Sequence, residues 1–145
     1  MSVTPSAPRY LDEIAAGETA SISKTFTDAD VRAFADVSTD TNPVHLDADY
    51  AASTQFGARI VHGMLTASLI SALLGNHLPG PGTVYLGQSL RFRRPVKLGD
   101  TVTASVTVKS VDREKNRIEL DCVCSVGGKP VLQGDALVMA PVRPA

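Results

Sequence analysis

The run from Val61 to Leu78 constrains the fold more than any other part of the 145-residue chain. Met64, Leu65, Ala67, Leu69, Ile70, Ala72, Leu73 and Leu74 spread apolar side chains around nearly the whole circumference of a helix, with small residues between them. A helix apolar on almost every face is buried rather than laid on a surface. Interrupted by Thr66, Ser68 and Ser71, the run is too short to span a bilayer. The breaker cluster GNHLPGPG over residues 75–82 ends it. From Thr83 the hydrophobic period changes from helical to two. Thr101 to Val108 alternates Thr or Ser with Val or Ala, Ile118, Leu120 and Cys122 share one face, and Val131 to Met139 reads as a last strand. Lys97–Asp100 and Val126–Lys129 read as hairpin connections, and Asp112–Asn116 as a polar turn.

Upstream, Ala20–Phe26 is strand-like. Thr27 then caps a helix whose first turn carries Asp28 and Asp30 and whose inner face is Val31, Phe34, Ala35 and Ser38. That helix ends before Pro43, and a short one capped by Asp47 runs to Ala52. One buried helix needs a cover, and a curved antiparallel sheet of about four strands supplies it. The expectation is an α+β fold: a flexible leader over residues 1–9, then a single domain over 10–145.

Composition narrows the function classes. Fourteen basic against fifteen acidic residues leave a net charge of −1, so no bulk field recruits nucleic acid or an anionic membrane. Cys122 and Cys124 make neither a disulfide framework nor a four-ligand zinc pattern, and read as ordinary strand residues. The opening MSVTPSAPRY has no apolar stretch behind a positive start, so a cytoplasmic protein is expected. The sequence contains no GxGxxG, no P-loop and no GxSxG elbow. His45, Asp47 and Asp49 fit a capped helix start better than a metal site, and no metal is expected.

Chemistry concentrates in Asp40-Thr41-Asn42-Pro43-Val44-His45. Five residues apart on a continuous helix, the carboxylate and imidazole diverge. Pro43 breaks that helix, and a turn braced by Asn42 lets Asp40 and His45 converge on one water as an acid/base pair. Spacing alone fits equally simple roles, with Asp40 as a helix cap and His45 as a loop residue. Val61-His62-Gly63-Met64 opens the buried helix, and a helix N-terminus offers free N–H groups to an oxygen gaining charge. His62 has no acidic partner nearby in sequence and reads as structural.

Asp40-x-Asn42-Pro43-Val44-His45, then Ile60-Val61-His62-Gly63-Met64, then Tyr85-Leu86-Gly87-Gln88-Ser89-Leu90-Arg91-Phe92 together resemble the MaoC-like (R)-specific enoyl-CoA hydratases, or hydratase 2. The likeness runs from about Leu11 to Val142, and the short bacterial members feed polyhydroxyalkanoate synthesis. It implies the hotdog fold, a homodimer, and hydration of a trans-2-enoyl-CoA to the (R)-3-hydroxyacyl-CoA. It also implies an Asp40/His45 dyad, a Gly63 N–H on the thioester oxygen and Ser71 lining the site. Thr39 departs from the family, which usually has glycine before the catalytic Asp. No cofactor is implied, because coenzyme A belongs to the substrate. Asn42, Arg91 and Arg93 are further substrate-binding candidates; Arg91 and Arg93 would share one strand face and reach the CoA phosphates. The competing readings are a hotdog acyl-CoA thioesterase and a non-catalytic acyl-CoA or acyl-carrier binding module.

Overall fold

The computed structural model describes residues 7–145. Of the expected leader, residues 1–6 lie outside the described part. Arg9 is held in place: its N–H donates to the Pro79 carbonyl at 2.8 Å and its guanidinium meets Glu18 at 2.7 Å.

Strand β1 (Thr19–Thr25) leads to helix α1 (Asp28–Ser38). Thr27 accepts from the Asp30 N–H while the Asp30 carboxylate accepts from the Thr27 N–H, satisfying donors that a helix start leaves open. Two short helices follow, α2 (Pro43–Leu46) and α3 (Ala48–Ala52), and then the central helix α4 (Gly63–Asn76). The remaining chain is β2 (Val84–Gln88), β3 (Arg91–Phe92), β4 (Thr101–Asp112), β5 (Arg117–Val126) and β6 (Lys129–Met139).

These strands form one antiparallel sheet in the order β1-β4-β5-β6-β2, with β3 also on β6. Six strands rather than four wrap the helix, because Arg91–Phe92 forms its own short rung and β1 closes the far edge. Alternation explains which face is inside. Val102, Ala104, Val106 and Val108 of β4, and Ile118, Leu120, Cys122 and Cys124 of β5, are buried beneath α4. The outer face of β1 and β4 is a ladder of hydroxyls, Ser21 to Ser105, Ser23 to Thr103 and Thr25 to Thr101. Register breaks between Val108 and Ser110 and between Cys124 and Ser125 bend the sheet around the helix.

The Val126–Lys129 connection is a hairpin, with Gly127 and Gly128 both at positive φ (57° and 79°) as a two-residue turn requires. The Lys97–Asp100 turn is not: β3 pairs with β6 and β4 with β1 and β5, so the turn joins strands that are not neighbours. Nor is α4 covered on every side. Leu69, Ile70, Leu73 and Leu74 are buried, each contributing roughly 1.5–3 kcal/mol relative to exposure. Met64, Ser68 and Ser71, at helical spacing, form an exposed stripe, and Met64 is 57% accessible. Among the described residues no helix is long and apolar enough to cross a membrane.

Candidate active site

Local turn chemistry brings Asp40 and His45 together. Helix α1 stops where Thr39 takes left-handed geometry (φ 66°), and the Asp40 N–H donates to Ser38 Oγ. Asp40 Oδ1 accepts from the Asn42 N–H at 3.2 Å, and Asn42 Oδ1 accepts from the Val44 N–H at 3.2 Å. Asn42 thus caps α2, with Pro43 at its first position where a missing N–H costs nothing. Proline does not merely forbid a helix here; it starts the one that carries His45. The Asn42 side-chain oxygen braces that turn by accepting from the Val44 N–H.

The segment after α3 supplies the other wall. Ile60 bridges Lys97, the Val61 N–H donates to the Val96 carbonyl at 2.7 Å, and the Ile60 N–H donates to the Val44 carbonyl. His45, 8% exposed, donates from Nδ1 to the Ile60 carbonyl at 2.8 Å. A carbonyl can only accept, so Nδ1 carries the proton and Nε2 is the basic nitrogen. Burial holds the His45 pKa below its ordinary 6.5; His62 adds to that, while the Ile60 bond and Asp40 oppose it. The ring is therefore neutral and ready to accept a proton near pH 7.

His62 is the residue that spacing missed. It is 1% exposed, its Nε2–H donates to the Asp40 backbone carbonyl at 3.0 Å, and its ring stacks on His45 with centroids 3.8 Å apart. A carboxylate oxygen of Asp40 and a ring nitrogen of each histidine lie within 4.8 Å of one another. A metal must lie in the plane of each imidazole that binds it, and two planes stacked at 3.8 Å with a 25° tilt meet only well outside the pair. That arrangement suits proton transfer better than chelation. The trio His45, Asp47 and Asp49 is not assembled, since Asp47 caps α3 through the Tyr50 N–H. Arg59 was equally invisible: its Nε donates to the His45 carbonyl at 2.7 Å, and its guanidinium lies 2.7 Å from Asp28, off the axis of a hydrogen bond. The pairing with Arg59, then Arg32, holds the Asp28 carboxyl below its usual range.

Gly63 opens α4, where an N–H has no acceptor within the helix. It lines a cavity of about 320 Å³ with Phe56, Thr66, Phe92, Arg93 and Leu132. A Cβ on Gly63 would lie 2.5 Å from the Phe92 ring, so Phe92 fills the space glycine leaves. One turn on, the buried Thr66 hydroxyl has no hydrogen-bond partner among the described residues. Ser71 lies elsewhere, in a groove of about 500 Å³ with Phe34, Met64, Ser68, Tyr85 and Leu90. Nor do the two arginines share a face. Strand β3 ends at Phe92; Arg91 lines a groove on the outer side of the sheet with Asp121 and Asp135, whereas Arg93 and Arg94 border the Gly63 cavity. Burial pushes the Cys122 and Cys124 thiols up to about 11 and about 12, so neither is a nucleophile at neutral pH.

The family described as MaoC like domain matches residues 12–124. An (R)-specific enoyl-CoA hydratase from Rhodospirillum rubrum is 50% identical over 134 residues, 92% of this chain and 93% of that protein. A 3-hydroxybutyryl-CoA dehydratase from Methylorubrum extorquens is 48% identical over 92% of this chain and 85% of its own length. Among solved structures, the (R)-hydratase from A. caviae involved in PHA biosynthesis superimposes with a TM-score of 0.87 at 48% identity, covering 88% of this chain and 98% of that one.

Proposed function

Because the chain belongs to the MaoC-like domain family, we propose that it hydrates trans-2-enoyl-CoA to the (R)-3-hydroxyacyl-CoA, with Asp40 and His45 activating the water. It is a hotdog-fold enzyme of the hydro-lyase class that acts on enoyl-CoA thioesters. The dyad, the stereochemistry and the subsites are our reading.

The observation that carries it is the His45 bond to Ile60, which leaves Nε2 as the basic nitrogen of a ring that has one nitrogen within 4.8 Å of an Asp40 carboxylate oxygen. Water between these groups gives a proton to the pair as its oxygen bonds to C3. The electrons of the double bond move onto the thioester oxygen, where the Gly63 N–H stabilises them. Loss of one such donor costs about 3–4 kcal/mol in other enzymes. The pair then returns the proton to C2 from the same face, so the addition is syn. Water and thioester balance the equation without a cofactor, and coenzyme A leaves as part of the product. The acyl chain has the apolar walls of the Gly63 cavity, and Arg93 and Arg94 at its rim suit the CoA phosphates better than Arg91. Free, buried Cys122 and Cys124 fit a reducing cytoplasm.

A homodimer follows from the same reading. The edge strand β2 exposes Val84, Tyr85 and Leu86 beside the open stripe of α4, including Met64 and Ser71. Pairing this face across a two-fold would cover it and bring Ser71 against a second copy. Sedimentation should give a dimer; a fully active monomer would contradict this.

The decisive assay uses crotonyl-CoA. Loss of enoyl absorbance without thiol release, giving the (R) product, is expected. Thiol release would make the protein a thioesterase, no turnover a binding module, and an (S) product would overturn the dyad geometry.

A further inference from the structure

We propose that His62 is a positioning residue for the active site, one buried imidazole that holds the Asp40 backbone through its Nε2–H and the His45 ring through its face. This rests on the reading of Asp40 and His45 as the catalytic pair. Asp40 sits on an exposed loop, and its carboxylate is oriented only as well as its backbone is held. The contact that reaches it from the central helix is the 3.0 Å bond from His62, which spans 22 residues of sequence. The same ring lies 3.8 Å from that of His45 at a tilt of 25°, and Phe34 of α1 packs edge-on to it at 4.9 Å. His62 is also the N-cap of α4, directly before Gly63, so one residue joins dyad and oxyanion donor to the most deeply buried helix.

The protonation pattern argues against a packing role alone. Because the Asp40 carbonyl only accepts, His62 Nε2 carries the proton and Nδ1 is bare. That nitrogen is buried without a partner among the described residues, a state that costs stability. A phenylalanine would fill the space with no orphaned atom but would let go of Asp40. The imidazole is what supplies both a ring face and a donor.

Two variants separate those contributions. His62→Phe keeps the face and removes the donor, and His62→Gln keeps a donor and removes the face. With crotonyl-CoA as substrate, each should lower kcat, by up to about 10²-fold for an ångström-scale displacement of the pair, with KM changed far less. Thermal midpoints should not fall in proportion. The pH profile adds a readout that packing alone would not move. Burial is the leading cause of the low His45 pKa; Asp40 opposes it from the α1–α2 loop, His62 reinforces it from the α4 cap, and Arg59 meets the His45 carbonyl. Either variant changes what faces the His45 ring, both the stacked imidazole and the seating of Asp40, so the acidic limb of kcat/KM should shift from its wild-type position. Unchanged kcat and limb in whichever variant folds would overturn the proposal, as would activity losses that merely track unfolding. An active wild type with unaffected variants would sink this inference alone, whereas a wild type that does not hydrate crotonyl-CoA would sink the functional reading with it.

Discussion

Replacing Thr39 with glycine should stabilise the protein without harming it. Thr39 ends α1 at φ 66° and ψ 9°, left-handed geometry in which the Cβ of an L-residue crowds the following carbonyl. That crowding costs about 1–2 kcal/mol, and a β-branched side chain such as threonine is among the least suited to it. The Thr39 side chain is exposed and makes no hydrogen bond among the described residues that would be lost on removal. Against the relief stands the entropy of a more flexible unfolded chain, about 0.5–1 kcal/mol for glycine. The difference is a net gain of about 0.5–1 kcal/mol, or roughly 1–4 °C in thermal midpoint for a chain of this size. Chemical denaturation of a short series checks the cause. Stability should run Thr39→Gly above Thr39→Asn, then wild type, then Thr39→Val, because asparagine tolerates left-handed geometry and valine does not. Asn116, at φ 54°, is the protein's own example of that tolerance. Hydration activity of the glycine variant should match wild type, since Asp40 keeps its bonds to Ser38 and Asn42. A glycine variant no more stable than wild type, or a valine variant equal to it, would refute the strain.

Asp40→Asn and His45→Gln should each remove most hydration activity, and the double variant should lose little more, because groups acting on one water are not additive; normal turnover in either single variant contradicts the dyad. Since burial lowers the His45 pKa, the unfolded chain binds the extra proton first as pH falls below about 6.5. His45 therefore favours the folded state fully above that pH and loses its contribution towards the lower folded pKa, while the acidic limb of kcat/KM lies below 6.5; a limb above that value would contradict the burial argument. Gly63→Ala should cut activity by displacing the Phe92 ring, which is 55% exposed and free to swing, with little change in stability. Adding Phe92→Ala should restore part of the loss if crowding is the cause, and no recovery would assign the loss to the N–H itself.

The fold was legible because its two strongest signals are local. The apolar run around Leu69, Ile70, Leu73 and Leu74 demands burial, and the period-two pattern of β4 and β5 supplies the sheet that does it. Less legible was what lies at an edge. Met64, Ser68 and Ser71 belong to the same helix as the core leucines, and nothing in their spacing says that this stripe is left open. The Lys97–Asp100 turn carries the glycine and aspartate of a hairpin, but strand pairing is decided by partners far away in sequence. Alternation places Arg91 and Arg93 on one strand face only if the strand continues past Phe92, where β3 stops.

The active site divides along the same line. Asp40, Asn42, Pro43 and His45 interact over a few residues, so their turn chemistry can be read directly. His62 and Arg59 cannot, because their partners are fixed by the return of the chain after α3. The Ile60–Lys97 bridge and the Val61 bond to Val96 anchor that return to the segment before β4. Once anchored, the segment has little freedom: the Ile60 carbonyl selects the His45 tautomer, Arg59 grips the His45 carbonyl, and His62 meets both His45 and Asp40. Three nearly consecutive residues thus set the geometry of two others that lie 14 to 22 positions upstream by these contacts. Loosening the bridge would disturb tautomer, ring stacking and backbone support together, and the geometry of this site depends on the return of the chain after α3 as much as on the motif that carries Asp40 and His45.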